Sequence, residues 1–132
     1  HEFLGDSVEG KNLLVIDDMI SSGESMIELS RKLKERGAGK IFCIATFGLF
    51  TDGLDEFNQA YEDGIISNVL CTNLIYRSPE LLAAPWYIDV DMAKFVALLI
   101  DAMNHNASLS TLIDPTVKIN TLLEKRRQAG CD

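Results

Sequence analysis

Basic side chains are scarce: the 132 residues hold 12 Lys and Arg against 20 Asp and Glu, for a net charge of −8. That balance excludes a broad surface for nucleic acid or anionic membrane, while a local anion site stays open. Histidine occurs only as His1 and His105, and cysteine only as Cys43, Cys71 and Cys131, with no two at metal-ligand spacing. Three cysteines cannot all pair within the chain. Cys43 and Cys71 read as small apolar core residues in a reducing compartment, so a cytoplasmic protein is expected. No apolar run approaches the roughly 20 residues of a membrane span. The opening His1-Glu2-Phe3-Leu4-Gly5-Asp6 lacks the basic and then apolar regions of a secretion signal.

What is present is ordinary for a single soluble domain, with 47% hydrophobic and 24% charged residues. Asn12 to Ile16 is a short apolar run ending at Asp17-Asp18, which suits a strand covered on both faces. Ser21-Ser22-Gly23 reads as a turn. Glu24 to Arg36 then repeats Met26, Ile27, Leu29, Ser30 and Leu33 at helical spacing, with Ser22 as the N-cap and Gly37 as the stop. Further strands are expected over 40–50, around Val69-Leu70-Cys71 and over 86–90, and further helices over 51–63, 91–104 and 115–127. Pro79 and Pro85 bracket a half-helix. Strands alternating with helices predict an α/β, three-layer, doubly wound and mostly parallel sheet. Such a sheet usually has five or more strands, so four suggest part of something longer, incomplete at the N-terminus.

Chemistry concentrates between Val15 and Ser25, VIDDMISSGES. In an open parallel sheet, ligands bind beyond the carboxyl ends of the strands. Two carboxylates there, Asp17 and Asp18, can accept hydrogen bonds from vicinal sugar hydroxyls or hold Mg²⁺ through water. Free amides at a helix start, its positive dipole end and Ser hydroxyls together bind a phosphate dianion. The combination reads as a receptor for a ribose 5-phosphate unit. The plainer alternative is that Asp17 and Asp18 end a strand and Ser21, Ser22 and Ser25 cap a helix.

This segment resembles the ribose-phosphate-binding motif of the type I phosphoribosyltransferase fold. Its surroundings are similar to ribose-phosphate pyrophosphokinases: Gly5-Asp6, Val8 and Gly10-Lys11 before the strand, Ala45-Thr46-Phe47-Gly48-Leu49-Phe50, Thr72-Asn73 and Ile88-Asp89-Val90. The resemblance runs from about residue 5 to residue 114. It implies a partial phosphoribosyltransferase-type domain over 1–114 with a C-terminal helical tail over 115–132. It also implies transfer of pyrophosphate from ATP to the 1-hydroxyl of ribose 5-phosphate, with Mg²⁺, in a homo-oligomer. Carried over, Asp17 and Asp18 bind the ribose hydroxyls, and Ser21, Ser22, Gly23, Glu24 and Ser25 surround the 5-phosphate. The ATP site, the cationic catalytic loop and most Mg²⁺ ligands are expected outside this chain, which is therefore expected not to catalyse alone.

Two positions depart from the family pattern. Phe47 stands where His is usual, and Glu24 stands where a small residue is usual. A carboxylate facing a phosphate dianion is repelled, so Glu24 is expected to point its side chain away and to offer only its N–H. Other readings remain: a phosphoribosyltransferase that consumes phosphoribosyl pyrophosphate, a non-catalytic relative that regulates the synthetase, and a phospho-accepting receiver domain, for which the Ser-Ser-Gly loop has no use. Trp86 and Tyr87 read as core packing, His105 as a helix-end dipole partner, and Arg77 as a candidate phosphate contact at the ligand edge.

Overall fold

In a computed structural model that describes residues 7–130, four strands form one sheet. They are β1 (Leu13–Ile20), β2 (Ile41–Gly48), β3 (Asn68–Thr72) and β4 (Tyr87–Val90). All neighbours pair in parallel, in the order β1-β2-β3-β4. Parallel neighbours require crossovers. These are α1 (Glu24–Glu35), α2 (Asp55–Glu62) and the short α3 (Pro79–Ala83). The mostly parallel α/β reading is borne out. His1, the Gly5-Asp6 pair and Cys131 lie outside the described residues.

The period of two places Ile41, Cys43 and Ala45 on one face of β2, opposite Val69 and Cys71 of β3. α1 buries Met26, Ile27, Ser30 and Leu33, and α2 buries Phe57 and Ala60, in one core with those strand residues. Buried Ser30 is satisfied through its own helix, its Oγ donating to Met26 O at 2.8 Å. Trp86 and Tyr87 are buried in the same core, as expected. Leu14 and Ile16 are out of phase with Leu13 and Val15, and they stay exposed at 64% and 72%. Among the described residues the expectation of a first strand covered on both faces is thus corrected: β1 stands at one end of the four-stranded sheet, and only its Leu13 and Val15 face packs against the core. An apolar run by itself does not say how many faces are covered.

Several boundaries also move. β1 does not stop at Asp17-Asp18 but continues to Ile20, because Met19 and Ile20 pair with Phe47 and Gly48. Backbone pairing is indifferent to side-chain charge. α2 starts four residues later than expected, since the chain first turns through Phe50 (φ 49°) and Gly53 (φ 87°). The half-helix between the prolines is α3, where Ser78 Oγ accepts the Leu81 N–H at 3.2 Å.

Two compact units make up the chain, dividing between Met92 and Ala93. The sheet lies in the first. The second holds α4 (Ala93–Asn104), α5 (Ser110–Ile113) and α6 (Thr116–Gln128). Asp114 Oδ1 accepts the Thr116 N–H at 2.9 Å at the start of α6, and Lys125, Arg126 and Arg127 fill its last turn. Just past the end of α4, His105 Nδ1 lies 3.2 Å from Asp101 Oδ1.

Burial pushes the thiols of Cys43 and Cys71 up to about 11. A group whose folded pKa is raised adds stability below its unfolded pKa and loses that addition as pH rises toward the folded value. The urea midpoint should therefore hold from neutral pH to about pH 8.5, then fall between about pH 9 and 11. In a Cys131→Ser chain at pH 8, a thiol reagent should react only at the rate at which the core opens. Fast stoichiometric labelling without denaturant contradicts the burial of both thiols.

Candidate functional site

Beyond Ile20 the chain leaves the sheet and enters α1 within three residues. The first of these, Ser21, is held from β2's extension: Thr51 N–H donates to Ser21 O at 3.0 Å, just after Leu49 N–H donates to Ile20 O at 2.8 Å. The expected Ser22 cap is replaced. Gly23 is the N-cap, in the left-handed region at φ 93°, and no side chain caps the helix. Ser22 Oγ instead accepts the Glu24 N–H at 3.4 Å, a long bond. The first intrahelical bond runs from Ile27 N–H to Gly23 O at 3.0 Å. The Ser25 and Met26 amides therefore belong to the first turn, which leaves its donors without intrahelical partners. A non-glycine residue would be strained at position 23, and a Cβ there would also stand 2.2 Å from Cε2 and Cζ of the Phe57 ring.

This turn encloses a cavity of about 130 Å³ lined by Asp17, Ser21, Ser22, Gly23 and Ser25, together with Met19, Ile20 and Met26. At roughly 30 Å³ per water it matches about four waters, room enough for a phosphate group. The structure thus brings together five of the seven sequence-predicted site residues. Asp18 is exposed on the strand but does not line this cavity; its N–H donates to Asp17 Oδ1 at 2.8 Å. Glu24 lines a separate cleft with Glu28, Arg31 and Glu56, on the side where α1 meets α2. Glu24 is not among the residues that line the Ser-rich cavity. A second depression, of about 350 Å³, continues from Asp17 and Ser25 along α1 to Glu28 and Lys32, which pair at 2.6 Å.

Asp17, Ala45, Cys71 and Asp89 are register partners in one row across the sheet. Three strand spacings, roughly 14 Å, separate Asp17 from Asp89. Arg77 Nη1 donates to both Asp89 carboxylate oxygens, at 3.0 and 3.1 Å. Its charge is met at the far end of the row, away from the Ser21–Ser25 cavity. Burial first, then the neighbouring Cys71 and Asp89, push the Tyr87 phenol in this cluster up to about 12. A larger hollow, of about 530 Å³, opens between Lys40, Tyr61 and Asn68 at the amino-terminal edge of the sheet. Sheets of this type bind ligands at the opposite edge.

Among the described residues, no three His, Cys, Asp or Glu side chains come together to hold a metal ion. The Mg²⁺ implied by the resemblance thus has no complete set of protein ligands among them.

A family model described as "Phosphoribosyl synthetase-associated domain" matches residues 2–114. The chain belongs to the phosphoribosyl synthetase-associated domain family. A ribose-phosphate pyrophosphokinase of Pyrococcus furiosus is 37% identical over 78 residues, which is 57% of this chain and 28% of that protein. The corresponding Vibrio parahaemolyticus enzyme is 27% identical over 111 residues, 84% of this chain and 34% of that one. A phosphoribosyl pyrophosphate synthase-associated protein 2 of Xenopus tropicalis is 33% identical over 105 residues, 80% of this chain and 28% of that protein. The crystal structure of phosphoribosylpyrophosphate synthetase from Mycobacterium smegmatis superposes with a TM-score of 0.67 at 25% identity, covering 78% of this chain and 33% of that one. Relative to these phosphoribosyl synthetase relatives, the chain spans about a third of their length or less. Within this family member, sequence reasoning missed the part played by the 49–51 turn and by Phe57. Their contacts to Ser21 and Gly23 come from another strand and another helix, and no local pattern announces them.

Proposed function

We propose that this chain is the ribose 5-phosphate-binding part of a ribose-phosphate pyrophosphokinase, a transferase that moves pyrophosphate from ATP to the sugar's 1-hydroxyl. The observation that carries the reading is the cavity shared by Asp17, Ser21, Ser22, Gly23 and Ser25 at the start of α1. Amides of the first helical turn and Ser hydroxyls receive the 5-phosphate, and the carboxylates of Asp17 and Asp18 receive ribose hydroxyls. Glu24 contributes its backbone only. ATP, Mg²⁺, a homo-oligomeric state and a cytoplasmic location belong to the same reading. Residues 1–114 are its phosphoribosyltransferase-type part and 115–132 its tail, a division supported by the end of the family match at 114.

Calorimetry of this chain with ribose 5-phosphate tests the proposal, with inorganic phosphate as competitor. Saturable binding is expected. Asp17→Asn should weaken it about 10- to 100-fold, because a hydrogen bond to a charged group is worth about 1.5–3 kcal/mol. Asp18→Asn, whose side chain does not line the cavity, should cost less. No heat at millimolar ligand overturns the reading. The similarity to the Xenopus tropicalis associated protein and the presence of Phe47 favour one second reading, a non-catalytic regulator. Failure to bind sugar phosphate combined with co-assembly with an active synthetase selects it.

A further inference from the structure

We propose that Phe57 is a positioning residue: its ring holds Gly23 in the left-handed conformation that aims the α1 amides into the Ser21–Ser25 cavity. The inference rests on the sugar-phosphate reading of that cavity. Phe57 is fully buried in α2, yet part of what it touches is backbone rather than side chain. An ideal Cβ on Gly23 would lie 2.2 Å from both Cε2 and Cζ of the ring. The ring edge thus fills the volume that any side chain at 23 would need.

The ring is itself held from two sides. Trp86 stacks on it, with centroids 5.2 Å apart and planes at 24°, and Phe50 meets it edge-on at 5.1 Å and 80°. Trp86 Nε1 donates to Asn58 Oδ1 at 2.8 Å, tying β4's entry to the next residue of α2. Phe50 sits at φ 49°, a conformation that costs a bulky residue energy and persists only where surroundings enforce it. Its two neighbours, Leu49 and Thr51, donate the amides that hold Ile20 O and Ser21 O. The turn is therefore gripped at both ends, by backbone bonds at 20–21 and by an aromatic edge at 23. Amides fixed in this way lose little freedom when an anion arrives, so the clamp acts on affinity as well as on stability.

Three variants test this in the full 132-residue chain. Phe57→Leu keeps the core apolar but withdraws the ring edge. Phe57→Met replaces the rigid ring by a flexible chain. Val69→Ala is a control that loosens the core in β3. By amide hydrogen exchange without ligand, Phe57→Leu and Phe57→Met should speed exchange at Ile27, Leu49 and Thr51, whose amides bond Gly23 O, Ile20 O and Ser21 O, by at least about tenfold relative to Val69→Ala, with β2 and β3 amides changing alike in all three. Affinity for ribose 5-phosphate should fall at least about tenfold in the first two and stay within about threefold in the control. Folded Phe57→Leu protein with unchanged exchange at Ile27, Leu49 and Thr51 overturns the proposal. If Phe57→Leu does not fold, Phe57→Met decides on the same readouts. Absence of ribose 5-phosphate binding by the unmodified chain defeats the sugar-phosphate reading instead, and the exchange measurement still decides whether Phe57 positions the turn.

Discussion

Ser25→Asp should abolish ribose 5-phosphate binding while leaving the fold as stable as before, or more so. Ser25 lines the cavity and is the second residue of α1. A carboxylate in a first helical turn is favoured by the helix dipole, typically by about 0.3–1 kcal/mol. The same carboxylate beside a bound phosphate meets like charge. At about 4 Å and an effective dielectric near 20, each pair of unit charges repels by about 4 kcal/mol, and 2.7 kcal/mol already corresponds to about 100-fold in affinity. Calorimetry and urea denaturation on one preparation read both effects. A variant that binds as tightly as the unmodified chain rules out an anion at this helix start. A variant that loses affinity and stability together instead points to damage to the turn. The outcome complements the natural Glu24, a carboxylate one residue earlier that lines the opposite cleft.

Trp86→Ala should cost about 3–5 kcal/mol, the range for removing a large aromatic from a packed core. Trp86 has no exposed surface, stacks on Phe57 and lies within 5.8 Å of Phe50 and 6.1 Å of Tyr87, centroid to centroid. Its loss also removes the hydrogen bond from the indole N–H to Asn58 Oδ1. A domain of ordinary stability holds about 5–15 kcal/mol, so the variant should lose a large share of its urea midpoint. Because Trp86 is the single tryptophan, circular dichroism must follow the transition. A shift corresponding to less than about 1 kcal/mol shows that the cluster tolerates truncation, contrary to its packing. Fluorescence of Trp86 in the unmodified chain gives a convenient signal, since Phe57 lies between it and Gly23.

The chain's own letters carried the alternation of strands and helices, the parallel sheet, the buried cysteines and the Ser21–Ser25 turn. Each of these rests on local periodicity, turn chemistry or residue size, properties that neighbouring residues express among themselves. Other features belong to the fold. Local pattern stopped β1 at Asp17-Asp18, but pairing with β2 carries it on to Ile20, and Gly23 replaces Ser22 as the cap. Only the assembled sheet shows that Asp17 lines the cavity while Asp18 does not, and that Arg77 is committed to Asp89, three strand spacings from Asp17. The clamp of Phe50, Phe57 and Trp86 around the turn joins residues 29 to 65 positions from Ser21. Contacts at such separation are set by crossover geometry and side-chain volume, which a one-dimensional pattern does not record.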